Sequence, residues 1–174
     1  MDLLENMRFR RSVRTYSDRE ISENQLKKIL QAGLLSPTSR GKRSWEFIVV
    51  KDKKMLSKLS NCREHGSSFL KGADKAIVVV GDTSVTDVWT EDCSIAMSMM
   101  YLMADSIGIG ACWIQGRNRY TSDHKTTDAY VKELLHIPDK YALEAIMSLG
   151  IPEKHPQAYE LDELPYEKIH NDFF

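Results

Sequence analysis

An α/β fold, a sheet sandwiched between helices, is what the sequence predicts, and three observations carry it. Stretches with helical spacing interleave with short β-branched runs along the chain. The run Ala76-Ile77-Val78-Val79-Val80 has no polar break, the pattern of a strand covered on both faces. Residues 91–107 are apolar nearly all round (Ile95, Ala96, Met97, Met99, Met100, Tyr101, Leu102, Met103, Ala104), so a helix there is buried.

Taken in order, residues 2–9 read as a short helix and residues 10–16 as an extended segment. Ser22-Glu23-Asn24-Gln25 has capping-box form, with Ser22 as N-cap and Gln25 reaching back. Leu26, Ile29, Leu30 and Gly33 or Leu34 follow at helical spacing, and Pro37 ends that helix. Residues 45–50, Trp-Glu-Phe-Ile-Val-Val, form a strand, and Lys51-Asp52 turns into a short helix bearing Leu56 and Leu59. After the buried strand and helix, Gly108-Ile109-Gly110 breaks the chain and residues 111–114 form the next strand. An amphipathic helix over 128–136 stops before Pro138, and residues 142–150 are the last strand.

The chain has 174 residues, 42% hydrophobic and 28% charged, with 24 Lys plus Arg against 25 Asp plus Glu. That length is most simply one domain, residues 1–174, and that apolar content excludes wholesale disorder. Nothing approaches the ~20 apolar residues of a membrane span, and the net charge of −1 argues against a general nucleic-acid binder. The polar stretch after Arg10-Arg11 excludes a signal peptide or twin-arginine export. Cys62, Cys93 and Cys112 are odd in number and far apart, which fits neither a disulfide framework nor a zinc site. A reduced, cytoplasmic protein is expected.

Charge is unevenly spread. Arg8, Arg10, Arg11, Arg14, Arg19, Arg40 and Arg43 all precede residue 44, whereas the tail from Glu153 is acidic. That favours a local anion site over a whole-protein field. Residues 151–174 have three prolines and no helical period, yet carry Leu161, Leu164, Tyr166, Ile169, Phe173 and Phe174. Such a segment either wraps its own chain or packs on a partner subunit.

Three motifs carry chemistry. In Arg10-Arg11-Ser12-Val13-Arg14, guanidinium forks match phosphate oxygens and a hydroxyl adds a neutral donor. In an extended segment Arg10, Ser12 and Arg14 share a face, a cradle for one phosphate; the alternative is a solvated basic face. Residues 36–45, Ser-Pro-Thr-Ser-Arg-Gly-Lys-Arg-Ser-Trp, form a polar cationic loop between helix and strand, either a ligand loop or an ordinary connection. Residues 108–116, Gly-Ile-Gly-Ala-Cys-Trp-Ile-Gln-Gly, are no Rossmann fingerprint: a helix precedes them, a strand follows, and Trp113 replaces the third glycine. Trp113-Ile114-Gln115-Gly116 presents backbone N–H groups to a flat ligand, or is a core strand with a turn. The methionines of 97–103 read as packing, Cys93 and Cys112 as inert, and the five histidines lack ligand spacing. The lack of an evident acid–base or nucleophile set fits chemistry carried by a bound cofactor.

These motifs, in this order, resemble the FMN-dependent nitroreductase family, whose members begin R-R-S-x-R and continue P-S-x-x-N-x-Q-P-W, then G-L-G-x-x-W/P-I. The resemblance spans essentially the whole chain. It implies an α+β fold with a mixed central sheet flanked by helices, and a homodimer with FMN at the subunit interface. It also implies that residues 151–174 embrace the partner. The implied phosphate-binding residues are Arg10, Arg11, Ser12 and Arg14; Pro37, Thr38, Ser39 and Gly41 lie in the loop lent by the second subunit. Trp113 and Ile114 fall beside the flavin ring, and Gln115 and Gly116 near its N5. The implied activity is reduction of FMN by NADH or NADPH, then of a nitroaromatic, quinone or enone, by a ping-pong mechanism. The alternative is a non-catalytic FMN-binding storage or regulatory module, motivated by departures in the loop. Gly41 replaces its Asn, Arg43 its Gln and Ser44 its Pro; the first removes an amide, and Arg43 is the candidate to compensate. The family's basic C-terminal position is acidic here, over 160–163, with Arg117 or Arg119 as candidate substitutes.

Overall fold

The computed structural model describes residues 2–174. Four strands, β1 (Trp45–Val50), β2 (Lys75–Asp82), β3 (Gly110–Gln115) and β4 (Tyr141–Gly150), form one sheet in the order β1-β2-β4-β3. All three ladders between them are antiparallel. The mixed pairing implied by the resemblance is confined, among the described residues, to one parallel bridge, Ser12 to Ala111.

Helices cover both faces. On one lie α2 (Glu23–Leu34) and α4 (Trp89–Ser106), with α1 (Leu3–Phe9) packed on α4. Their core joins Leu26, Ile29, Met97, Met100 and Ala104 to Ile77, Val79, Ala145 and Met147 of the sheet. On the other lie α3 (Lys53–Leu59) and α5 (Thr127–Leu135), where Leu56, Leu59 and Val131 meet Val78, Val80, Leu143 and Ile146. All of β2 is therefore buried, as its unbroken β-branched run requires. Each such fully buried side chain contributes roughly 1.5–3 kcal/mol.

Local chemistry sets the element ends. The capping box of α2 is present: Ser22 Oγ accepts from Gln25 N–H, and Gln25 Oε1 accepts from Ser22 N–H. The helix ends at Leu34, three residues before Pro37, where Ser36 Oγ donates to the Gly33 carbonyl at 2.7 Å. A bulge interrupts β4: Val79 pairs with Ala145 but Val80 with Leu143, leaving Glu144 as the extra residue. It turns Glu144 toward α4, where Ser94 Oγ donates to Oε1 at 3.3 Å.

The C-terminal segment divides in two. Residues 151–160 wrap their own chain: Pro152 bridges Tyr16, Tyr159 N–H donates to the Arg8 carbonyl, and His155 Nε2 lies 2.9 Å from Asp105 Oδ1. Residues 161–174 are exposed throughout, aromatic side chains included.

Candidate functional site

The N-terminal motif folds as an extended segment against the outer edge of β3. Val13 N–H donates to the Ala111 carbonyl at 2.9 Å, and the Val13 side chain is buried beside Gly110. Ser12 is left at the surface of this junction. Its Oγ accepts from the Tyr101 hydroxyl at 2.9 Å, and the Arg10 guanidinium lies 4.8 Å over the Tyr101 ring. Arg14 lies 5.7 Å over Phe69. Burial pushes the Cys112 thiol up, opposed by Arg14, Ser12 and Arg10, the three residues that alternation puts on one side of the extended segment. Burial likewise raises the Tyr101 phenol, keeping it a hydroxyl donor.

Arg11 is not brought to this face. Its Nη1 donates to the Gln157 carbonyl and its guanidinium stacks 4.3 Å over Tyr159, tying down the returning tail. The segment alternates, and Arg11 falls on the opposite side from Arg10 and Ser12.

The far end of β3 supplies a different surface. Gly116 and Arg117 both donate their N–H to the Glu144 carbonyl, at 3.0 and 2.9 Å. Gly116 N–H is therefore spent inside the protein and is not presented to a ligand. A Cβ at Gly116 would lie 2.5 Å from Leu143, so the close approach requires glycine. The Gly116–Glu144 pairing fixes the alternation along β3. Ile114 faces β4, whereas the backbone N–H and C=O of Trp113 and Gln115 point to the free edge. Their side chains bond each other, Trp113 Nε1 donating to Gln115 Oε1 at 2.9 Å.

The loop after α2 is pinned by one residue. Asp92, buried in the first turn of α4, accepts from Ser39 N–H at 2.8 Å and from Ser44 Oγ at 3.3 Å. Between these anchors Arg40, Gly41 and Arg43 adopt positive φ, of 51°, 67° and 49°. Only Gly41 takes that conformation without Cβ strain. Thr38 Oγ1 accepts from Arg43 N–H at 3.1 Å; Pro37 is exposed. This loop feeds β1, the opposite sheet edge from β3, about three strand spacings or ~14 Å away. Within one chain, Pro37, Thr38, Ser39 and Gly41 are thus not brought together with Arg10, Ser12 and Arg14.

Arg117 and Arg119 lie beyond the other end of β3 from the cradle, about 17 Å along the strand from Cys112. Neither substitutes there for the missing C-terminal base. Arg117 Nε instead lies 3.5 Å from the buried Glu144 Oε2.

The chain is matched by the model of the Nitroreductase family over residues 7–62 and 57–151. The chain belongs to the nitroreductase family. A solved FMN-dependent nitroreductase from Clostridium difficile is 46% identical, superposes with a TM-score of 0.96, and is covered over 99% of its length by 98% of this chain. A relative from Archaeoglobus fulgidus, provisionally named an NADH dehydrogenase/NAD(P)H nitroreductase, is 37% identical over 88% of this chain and 87% of its own length. The NADPH-flavin oxidoreductase of Vibrio harveyi is 24% identical over 88% of this chain and 67% of its own length.

Sequence reasoning missed Asp92, Tyr101 and Glu144. A carboxylate inside the apolar 91–107 helix and another inside the apolar 142–150 strand were the available signals.

Proposed function

We propose that this nitroreductase-family chain is an FMN-dependent NAD(P)H oxidoreductase. The observation that carries it is the pairing of a cationic, hydroxyl-lined cradle with an unpaired backbone edge on the same strand, β3. Arg10 and Ser12 meet at Tyr101 and Arg14 shares their side of the extended segment at the start of that strand, the donor set a phosphate monoester requires. Trp113 and Gln115 turn their backbone groups outward further along it, the donor a flavin ring edge requires. The residues present therefore fit FMN.

Bound FMN supplies hydride transfer from NADH or NADPH to a small acceptor such as a nitroaromatic, quinone or enone. This chain's residues bind and orient. Arg10, Ser12 and Arg14 would hold the phosphate, Gln115 N–H would face the ring edge and Trp113 would lie beside it; Ile114, expected beside the ring, is instead fully buried with Val131, Leu143 and Ile146 on the other face of the sheet. Donor and acceptor take turns at one face, so steady-state lines are parallel.

The reading includes a homodimer of one-domain subunits, residues 1–174, in which the loop 37–41 completes the partner's site. The ~14 Å between sheet edges supports it, because one chain alone separates the two halves. So does the apolar surface left by Leu3, Leu4, Leu34 and Leu35 and by residues 161–174, which pack on the partner in this reading. The three buried cysteines are free thiols, which supports a reducing cytoplasm. No helix among the described residues is long and apolar enough to cross a membrane, and no cluster of metal-ligating side chains occurs among them.

The test is a visible spectrum of FMN-supplemented, desalted protein, followed by anaerobic NADH and then NADPH. A retained yellow chromophore that bleaches is expected. Retention without bleaching returns the storage or regulatory module; a colourless protein overturns the flavin reading.

A further inference from the structure

Past the end of β3 a cavity of about 340 Å³ opens, walled by Trp89, Gly116, Arg117, Arg119, Tyr120 and Asp128 among others. The flavin contacts proposed above do not use it. Its cations are unevenly committed. Arg117 turns Nε toward the buried Glu144 carboxylate at 3.5 Å, while its two terminal nitrogens bond nothing among the described residues. Arg119 spends one terminal nitrogen on the Asn118 carbonyl at 2.8 Å and leaves the other and Nε without a partner among the described residues. Asn118, with φ 57°, makes the turn between the two arginines. The carboxylate in the wall, Asp128, is already engaged: Oδ1 accepts from Leu143 N–H at 2.7 Å and Oδ2 lies 3.9 Å from Lys132. Guanidinium donors thus outnumber acceptors in the wall, and Trp89 and Tyr120 add flat apolar surface.

Two free guanidinium forks beside aromatic walls match a phosphorylated nucleoside: phosphate on arginine, base on ring. The cavity begins at Gly116, the residue after Gln115, so it lies next in the chain to the proposed flavin contacts, and Ala142 and Leu143 of β4 complete its wall. We propose that this cavity takes the adenosine-phosphate end of the nicotinamide nucleotide, with Arg117 and Arg119 holding its phosphates. The assignment rests on the reductase reading above. It makes Arg117 and Arg119 the residues that set nucleotide affinity, whereas Arg10, Ser12 and Arg14 set flavin affinity.

The experiment is calorimetric titration of the protein, with and without FMN, using adenosine 2′,5′-bisphosphate and unphosphorylated adenosine as probes. Arg119→Glu is the main variant, since its guanidinium holds only the neighbouring carbonyl and folding does not need it. Arg117→Gln is the second. Wild type is expected to prefer the bisphosphate, and each variant to bind it about tenfold more weakly, the loss of one charged hydrogen bond. In steady state a raised KM for NADPH alone assigns the 2′-phosphate to the arginines; a raised KM for NADH as well assigns the pyrophosphate. Both support the site. Wild-type indifference between the probes, or variants that bind the bisphosphate as wild type does, overturns it. So does a KM change confined to an anionic electron acceptor. A protein that holds no flavin yet binds the bisphosphate through Arg119 would fail the reductase reading and keep the site; normal bleaching with unchanged nucleotide KM would do the reverse.

Discussion

Arg10 and Ser12 meet at one side chain, the Tyr101 phenol, which bonds the serine and underlies the guanidinium. That shared support makes the cradle rigid before any ligand arrives. Charged hydrogen bonds are worth roughly 1.5–3 kcal/mol each, so Arg10→Ala with Ser12→Ala should loosen FMN by a few kcal/mol. Equilibrium dialysis against FMN reads this; flavin retention equal to wild type would reject the cradle. Glu144 makes a second prediction at this scale. Burial raises its carboxyl above the ordinary value, opposed by Ser94, Arg117 and Gln115 and reinforced by Glu91. A carboxyl raised on folding favours the native state below its unfolded pKa, about 4.3, and loses that contribution as pH climbs through the folded value. Glu144→Gln has no such titration. The Tm difference, variant minus wild type, should therefore rise with pH from about 4 upward. A difference that stays flat would place the carboxyl in solvent.

Between elements, Asp92 matters most, because one carboxylate holds both ends of the loop that leads into β1. Asp92→Ala leaves the part-buried Ser39 N–H and the buried Ser44 hydroxyl without acceptors, at about 1–3 kcal/mol. Since the loop is lent to the flavin in the proposed dimer, FMN affinity should fall together with Tm. Asp92→Asn, which can still accept from Ser39, should restore most of both. A Tm loss with unaltered FMN affinity would confine Asp92 to folding. Much at this level was legible in the sequence, and for local reasons. Ser22 and Gln25 cap each other within one turn, and the 76–80 run admits only a strand buried on both faces; the helix expected over 91–107 runs over Trp89–Ser106 and buries Ala96, Met97, Met100 and Ala104 but leaves Ile95 exposed. The illegible parts depend on distant partners. The β4 bulge that aims Glu144 exists only through the register with β2, where Val79 and Val80 skip it. Arg11 looks like its neighbours in sequence, and only the returning tail at Gln157 and Tyr159 claims it. Gly116 reads as a ligand-facing glycine, yet the strand pairing commits its N–H to Glu144.

At the scale of the whole molecule, residues 161–174 are all exposed, Phe173 and Phe174 included. Removing them should leave the two-sided core intact and its far-ultraviolet spectrum unchanged. In the proposed dimer they are what the partner covers, so the truncated chain should sediment as a monomer where the full chain sediments as a dimer. A truncated chain that stays dimeric would place the interface on α1 and Leu34–Leu35 alone.

The outer edge of β3 has one more consequence. The N-terminal segment closes that edge only at Ala111, and beyond it the backbone N–H groups of Trp113 and Gln115 face outward with no strand partner among the described residues. A bare strand edge is a template on which another chain can add a strand, and natural proteins cover or blunt such edges to stay dispersed. In the proposed flavin site the cover would be the ligand itself. Flavin supply should then govern colloidal behaviour as well as activity: chains made without flavin should carry an open seam and associate more readily than flavin-loaded ones, which light scattering of the two forms would read.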